Sequence, residues 1–142
     1  MAVAGRRTVR PQPLLAVRDV PASARWYAEL LGLDYLSREK PSDHDGLYDR
    51  IVDGEHLVLQ LHIWDEEDHP NLVGADAAPH GHGVLVWFEV DDLPAAVARA
   101  KQLRAEVVRE VHVNPGPRHH ELWLRDPDGY TVVVCDIDGA AA

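Results

Sequence analysis

Two histidines followed by a carboxylate, His119-His120-Glu121, form the segment whose residue types best suit proton chemistry. Imidazole titrates near neutral pH, so a histidine beside a carboxylate can act as a general acid or base. Adjacent strand residues point to opposite faces, so His120 and Glu121 cannot both face one site in a regular strand. We therefore interpret this segment as surface and keep His120 as a catalytic candidate, together with His62.

Trp64 and Trp87 are candidates for ligand contact, because an indole can stack on a flat or cationic group. Packing in the core explains a tryptophan equally well. The chain has four tryptophans among its 142 residues. We single these two out because strand side chains alternate faces, so Trp64 should share one wall with Gln60 and His62, and Trp87 should face the same way as Leu85.

Charge and composition exclude several classes of protein. The formal net charge of −10 opposes binding to a phosphate backbone, so we expect no nucleic-acid partner. The single cysteine, Cys135, allows no intrachain disulfide and indicates a reducing, cytoplasmic location. No stretch approaches the roughly 20 apolar residues of a membrane helix, so we expect no membrane partner.

An internal repeat organises the chain. The hexapeptide Val17-Arg18-Asp19-Val20-Pro21-Ala22 returns as Val90-Asp91-Asp92-Leu93-Pro94-Ala95, an offset of 73 residues (90 minus 17). Each copy follows an apolar run and precedes a helical pattern. We predict a single domain over 1–142 with repeat units at about 12–64 and 83–137, joined by a linker at 65–82.

The two units show the same order of predicted elements. In the first, strands are predicted at 13–17, 33–38, 47–53 and 56–64, with a helix at 21–31 that ends at Gly32 and a hairpin turn at Asp53-Gly54. In the second, strands are predicted at 83–90, 106–113, 120–125 and 130–137, with a helix at 93–104. The fold class is therefore α+β, two βαβββ repeats.

These motifs resemble the vicinal-oxygen-chelate superfamily, which includes glyoxalase I, bleomycin-resistance proteins and extradiol dioxygenases. The matching segments are 17–23, Trp26-Tyr27, 31–33, 90–93 and 124–130, and the resemblance spans about residues 12–137. It implies curved mixed sheets around a cleft that holds a small organic molecule. It also implies a homodimer, in some members with exchanged halves.

The resemblance further implies where a metal would be bound, on the first and last strands of each unit. The corresponding residues are Gln12, Gln60, Leu85 and Val133. Divalent metals need lone pairs from imidazole, carboxylate or thiolate groups, and leucine and valine have none. We therefore expect no metal and no other cofactor. An alignment shifted by two residues would instead bring in His62 and Cys135.

Two functions follow from these expectations. The first is a metal-free protein of the glyoxalase/bleomycin-resistance type that sequesters an aromatic or cationic organic ligand. Its expected ligand-binding residues are Gln12, Gln60, His62, Trp64, Leu85, Trp87, His120 and Val133. The alternative is a lyase or dioxygenase with a non-standard metal site, or with metal-free acid–base chemistry through His62 or His120.

Overall fold

A computed structural model describes residues 10–34, 46–64, 72, 74 and 80–142. Within them lie two helices and seven strands: β1 Leu14–Val17, α1 Val20–Leu31, β2 Tyr48–Asp53, β3 His56–Ile63, β4 Val86–Glu89, α2 Leu93–Gln102, β5 Glu106–Asn114, β6 His119–Arg125 and β7 Thr131–Cys135. This confirms the predicted α+β fold of two similar units. No helix in these residues is long and apolar enough to cross a membrane.

Each unit forms one mixed sheet, and the three strands described in the first unit are ordered as their equivalents are in the four-stranded sheet of the second. The strand order is β1-β3-β2 in the first sheet and β4-β7-β6-β5 in the second. In both, the first strand is parallel to the last, which places Leu14 opposite Gln60 and Trp87 opposite Val133. Equivalent residues of these two pairs are 73 positions apart (87 minus 14, 133 minus 60), so the repeat extends to the pairing register.

The helices begin where the repeated motif predicts. Asp19 and Asp92 each accept a hydrogen bond from a backbone N–H three residues later, at 3.0 Å in both helices. Helix α1 ends before Gly32, whose φ of 70° suits glycine. The predicted end of the second helix at Arg104 is wrong. Helix α2 ends at Gln102, and Arg104 has a φ of 53°.

Three predicted strand features differ from the structure. In the strand predicted at 33–38, Leu33 and Asp34 are irregular, and the other four residues lie outside the described part of the chain. The hairpin turn between β2 and β3 is formed by Gly54 and Glu55, one residue later than predicted. Strand β4 begins at Val86, so Leu85 precedes it.

One core joins the two units. It is formed by one face of each sheet and by the apolar sides of both helices. Its members include Leu15, Val17, Leu59 and Leu61 from the first sheet, Tyr27 and Leu30 from α1, Ala96 and Ala100 from α2, and Leu122, Leu124, Val132 and Val134 from the second sheet. Because strand side chains alternate, the intervening residues lie on the opposite face of each sheet, away from both helices. We call this the open face.

The turn between β6 and β7 fixes the second unit to α1. Asp126 is buried, and its Oδ2 accepts a hydrogen bond from the Tyr27 hydroxyl at 2.6 Å. Its Oδ1 accepts from the backbone N–H groups of Asp128 and Tyr130. Burial raises the pKa of Asp126, and these three donors oppose the rise. Burial, with Asp126 beside it, raises the pKa of Tyr27.

Two further residues of this turn reach the first unit. Asp128 accepts from the backbone N–H of Arg18 at 2.8 Å and from the Ser23 hydroxyl at 3.3 Å. The Tyr130 hydroxyl donates to the carbonyl of Ala16 at 2.9 Å. The Asp-Pro-Asp-Gly-Tyr segment therefore has a structural role that links the two repeats.

Candidate functional site

The open face of the second sheet carries two of the predicted site residues, Trp87 and Val133. Two rows run across its strands: Trp87, Val133 and Trp123 form one, and Glu89, Cys135 and Glu121 form the next. Residues in register on neighbouring strands have Cβ atoms about 5 Å apart. Trp87 is 42% exposed and Val133 is fully buried. We call the surface formed by Trp87, Val133 and Trp123 the aromatic platform.

A hydrogen bond to Cys135 holds the Trp87 indole in place. Its Nε1 donates to the sulfur of Cys135 at 3.1 Å, which shows that both side chains lie on the open face. Burial raises the pKa of the Cys135 thiol, the carboxylates of Glu89 and Glu121 add to the rise, and the bond from Trp87 opposes it. The thiol therefore stays protonated near neutral pH, which makes it a packing group rather than a nucleophile.

Glu121 contradicts the surface interpretation of its segment. The residue is only 2% exposed, and it lies on the open face beside Trp123. Its Oε1 accepts from the Trp123 indole and from His112 Nε2, each at 2.9 Å. Its Oε2 interacts with His119 Nε2 at 2.7 Å and with the Asn114 amide at 3.4 Å. Burial alone would raise the pKa of Glu121, but these hydrogen bonds outweigh burial and lower it.

His119 links this buried carboxylate to the surface. It is itself buried, and its other ring nitrogen lies 3.2 Å from Oδ1 of the exposed Asp138. Burial disfavours the imidazolium, yet the bonds to Glu121 and Asp138 outweigh burial and raise the pKa of His119. The centroid of its ring also lies 5.9 Å from that of Trp87. Glu121 and its hydrogen-bond partners therefore contact both indoles of the aromatic platform.

His120, one of the two catalytic candidates, points away from Glu121 and its partners. Its Nδ1 lies 2.7 Å from Oδ2 of Asp136, and its backbone N–H donates to Oδ1 of the same carboxylate at 2.7 Å. Burial alone would raise the pKa of Asp136, but the bonds from His120 lower it. A carboxylate that orients an imidazole is an arrangement that general bases use.

Gln60 and His62 lie on the open face of the first sheet, and Gln12 lies beside Gln60, before β1 begins. Gln60 accepts a hydrogen bond from the Tyr48 hydroxyl at 2.6 Å and donates to the carbonyl of Gln12 at 3.0 Å. His62 Nδ1 lies 2.6 Å from the carbonyl oxygen of Ile63, and its ring centroid lies 6.3 Å from that of Tyr48. Gln12, Gln60 and His62 therefore form a polar group on a different sheet from the aromatic platform.

Trp64 lies apart from both the aromatic platform and the polar group of the first sheet. Its ring lies 5.0 Å from that of His80, which in turn lies 6.1 Å from the ring of Tyr130. The indole N–H of Trp64 is shielded from solvent and has no hydrogen-bond acceptor among the described residues. The expectation that grouped Trp64 with Gln60 and His62 on one wall assumed a regular strand, whereas β3 ends at Ile63.

The four positions at which the family resemblance implies metal ligands do not fit a divalent ion. Leu85 and Val133 are hydrocarbon, and Val133 is buried within the aromatic platform. The amide oxygen of Gln60 already accepts from Tyr48. Shifting the first strands by two residues gives Leu14 and Trp87, which supply no metal-binding atom either. In the described part of the chain, no three His, Cys, Asp or Glu side chains are arranged so that they could hold one metal ion together.

Glu121 and its donors form a polar group of the candidate site that sequence reasoning missed. The signal was the alternation His119, Glu121, Trp123 along β6, which places three polar or aromatic groups on one face. The partners His112 and Asn114 depend on two irregularities in the β5–β6 pairing, between Val107 and His112. No sequence pattern fixes those.

Known proteins share this architecture. A probable lactoylglutathione lyase from Vibrio parahaemolyticus is 23% identical over 133 residues, which cover 91% of each chain. The solved structure of a lactoylglutathione lyase from Agrobacterium tumefaciens superposes with a TM-score of 0.62 at 20% identity, covering 92% of this chain and 94% of that one. The structure of TioX from Micromonospora sp. ML1 gives a TM-score of 0.63 at 17% identity, covering 90% and 98%.

These structural likenesses show the fold alone, since all are below 25% identity. The family model is more specific, because it matches residues 10–134, which cover the first repeat unit and nearly all of the second. The chain belongs to the glyoxalase/bleomycin resistance protein/dioxygenase superfamily.

Proposed function

We propose that this protein binds a planar, aromatic or cationic organic molecule on the aromatic platform and sequesters it without chemistry, as expected for the bleomycin-resistance branch of the family. The observation that carries the proposal is the row Trp87, Val133 and Trp123 across three adjacent strands, with Trp87 42% exposed. An exposed indole in an apolar surface is suited to stacking. The net charge of −10 and the neighbouring Glu89 favour a cation.

The chemistry of the surrounding groups supports binding over catalysis. The thiol of Cys135 is held protonated, and both ring nitrogens of His119 already have carboxylate partners. Leu85 and Val133 offer no lone pair for a metal. The single cysteine is consistent with a cytoplasmic protein.

A panel of planar cations, including ethidium, and of neutral planar compounds tests the proposal. We expect at least one compound to raise the denaturation midpoint and to quench tryptophan fluorescence. Trp87→Ala should weaken that binding about tenfold or more, the equivalent of one lost stacking contact. Trp64→Phe is the matched control and should leave the affinity unchanged, because a phenyl ring can keep the contact with His80. No shift with any compound would contradict the proposal.

One observation favours an enzyme instead, namely the pairing of His120 with Asp136 at 2.7 Å. A lyase that used His120 as a base would lose its turnover in His120→Gln. Metal analysis of protein purified without chelators or a histidine tag gives an independent test. A stoichiometric metal ion would favour this second function and count against sequestration.

We also infer that two copies associate through the edge strands β1 and β4. Each pairs with one neighbour in the sheets described here, and exposed apolar residues lie in these strands or just before β4: Leu14, Val84, Leu85 and Trp87. Association there would bring the open faces of different sheets together into a shared cleft. Sedimentation equilibrium should give twice the mass of 15.8 kDa, and a monomer at high concentration would contradict the inference.

A further inference from the structure

Glu121 is a buried carboxylate whose hydrogen-bonding capacity is fully used. Its two oxygens have four partners, contributed by Trp123, His112, His119 and Asn114. An ionised carboxylate offers about four lone-pair sites. Burying one without partners is strongly unfavourable, so the four donors are what keep this charge in the sheet.

This saturation decides what Glu121 can do. To accept a proton from a bound molecule, or to ligate a cation, it would first have to lose one of its present donors. Glu121 is therefore unsuited to act as a general base or as a ligand contact. Its influence on a bound molecule passes through the groups that it holds in place.

Two of those groups lead to the aromatic platform. The Trp123 indole is fixed directly by its bond to Oε1 of Glu121. His119 is fixed at Oε2, and its ring lies against Trp87 at a centroid distance of 5.9 Å. The two indoles stand on different strands on either side of Val133, and Glu121 acts on both.

We propose that Glu121 is a positioning residue that holds the indoles of Trp123 and, through His119, of Trp87 in their binding orientation before a ligand arrives. The expected effect on affinity rests on the proposed function, but the orientation of the two indoles does not depend on any ligand. Fixing rotatable side chains in advance removes the entropy that binding would otherwise lose, so affinity falls when they are released.

The test compares Glu121→Gln with a matched change elsewhere. Glutamine keeps the shape of the side chain, but its Nε2 cannot accept the bonds that one carboxylate oxygen now accepts. Asp126→Asn is the control, because Asp126 is also a buried carboxylate with three donors and lies in the turn that links the units. Both variants should lower the denaturation midpoint.

Fluorine NMR of protein labelled with 5-fluorotryptophan reports orientation without a ligand. Single Trp→Phe changes assign the four resonances. In Glu121→Gln we expect the Trp87 and Trp123 resonances to shift or broaden while that of Trp26 stays unchanged. In Asp126→Asn we expect the Trp87 and Trp123 resonances to stay as in the wild type. Unchanged Trp87 and Trp123 resonances in a folded Glu121→Gln variant would overturn the inference.

Binding of ethidium then tests the consequence. We expect Glu121→Gln to weaken it about tenfold and Asp126→Asn to change it by less than about twofold, both measured well below their midpoints. If wild-type protein binds no member of the panel while the resonances respond as expected, the proposed function fails and the positioning role stands. If Glu121→Gln does not fold, His119→Gln replaces it, and an unchanged Trp87 resonance there would overturn the link through His119.

Discussion

The hydroxyl of Tyr27 is expected to be a major stabilising contact between the two repeats. In Tyr27→Phe, Oδ2 of Asp126 loses a donor at 2.6 Å while the carboxylate, 5% exposed, stays buried. Hydrogen bonds to a charged group contribute about 1.5–3 kcal/mol. We therefore expect the free energy of unfolding to fall by about 2 kcal/mol. For a domain of this size the midpoint should fall by about 6–8 °C.

Tyr130→Phe provides the matched control. It also removes a hydroxyl from a buried tyrosine, but the acceptor, at 2.9 Å, is the neutral carbonyl of Ala16. A bond between neutral groups contributes about 1 kcal/mol, so this variant should lose roughly half as much stability. The pKa of Tyr130 is raised to about 12, by burial first, so its hydroxyl does not titrate across the range of the assay.

The pH dependence separates the two variants further. Burial raises the pKa of Asp126, and losing the Tyr27 hydroxyl, which favours the carboxylate, raises it more. A raised folded-state pKa means that protonation of Asp126 favours the folded state, a contribution that disappears as the pH rises through that pKa. The loss in Tyr27→Phe should therefore be greater at about pH 8 than at about pH 5, whereas Tyr130→Phe should lose the same at both.

Urea denaturation followed by circular dichroism at the two pH values measures these differences. A double-mutant cycle that combines Tyr27→Phe with Asp126→Asn should give a coupling energy of about 1 kcal/mol or more. Equal losses for both tyrosine variants at both pH values, or additive effects in the cycle, would refute this account of the Asp126 environment.

Two other predictions concern single positions. The folded-state pKa of His119 is raised, because its bonds to Glu121 and Asp138 outweigh its burial. The protonated imidazole should therefore contribute fully to stability below the ordinary pKa of about 6.5, and this contribution should be lost as the pH rises through the folded-state pKa. In urea titrations, wild type and His119→Gln should differ most in acid and converge in base. Gly81→Ala would place a Cβ 2.5 Å from the Tyr130 ring at a φ of +68°, whereas a Cβ at Gly83, where φ is +83°, meets no atom of the described residues within 4 Å. Thermal melts should show losses of about 2–4 kcal/mol and about 1 kcal/mol, and equal losses would contradict the clash.

Local chemistry made much of the fold predictable from the sequence. Asp19 and Asp92 have side chains that cap helices wherever a helix follows, so both helix starts were predictable. Alternation of apolar residues identified the strands, and the offset of 73 residues predicted that equivalent strands pair in the same way in both sheets. These features depend on contacts between residues close in the chain, or on a period, and both are visible without coordinates.

The candidate site was less predictable, because it depends on register between strands. His112 lies opposite Glu121 only because β5 has two irregularities between Val107 and His112. A slip of one residue would place Val111 or Val113 there and leave the carboxylate with fewer donors. The same limit explains Trp64, whose place beside His80 depends on where β3 ends.

The hydrogen bonds that join the two repeats also constrain how the protein can be made. Asp128 meets Arg18 across 110 residues of chain, and Tyr130 meets Ala16 across 114. A ribosome adds about 5–20 residues per second and exposes the N-terminal half first. That half therefore waits several seconds for these partners. Its last anchoring contacts form only when residues 128 and 130 have emerged, so the first repeat completes its folding after the second repeat has been made.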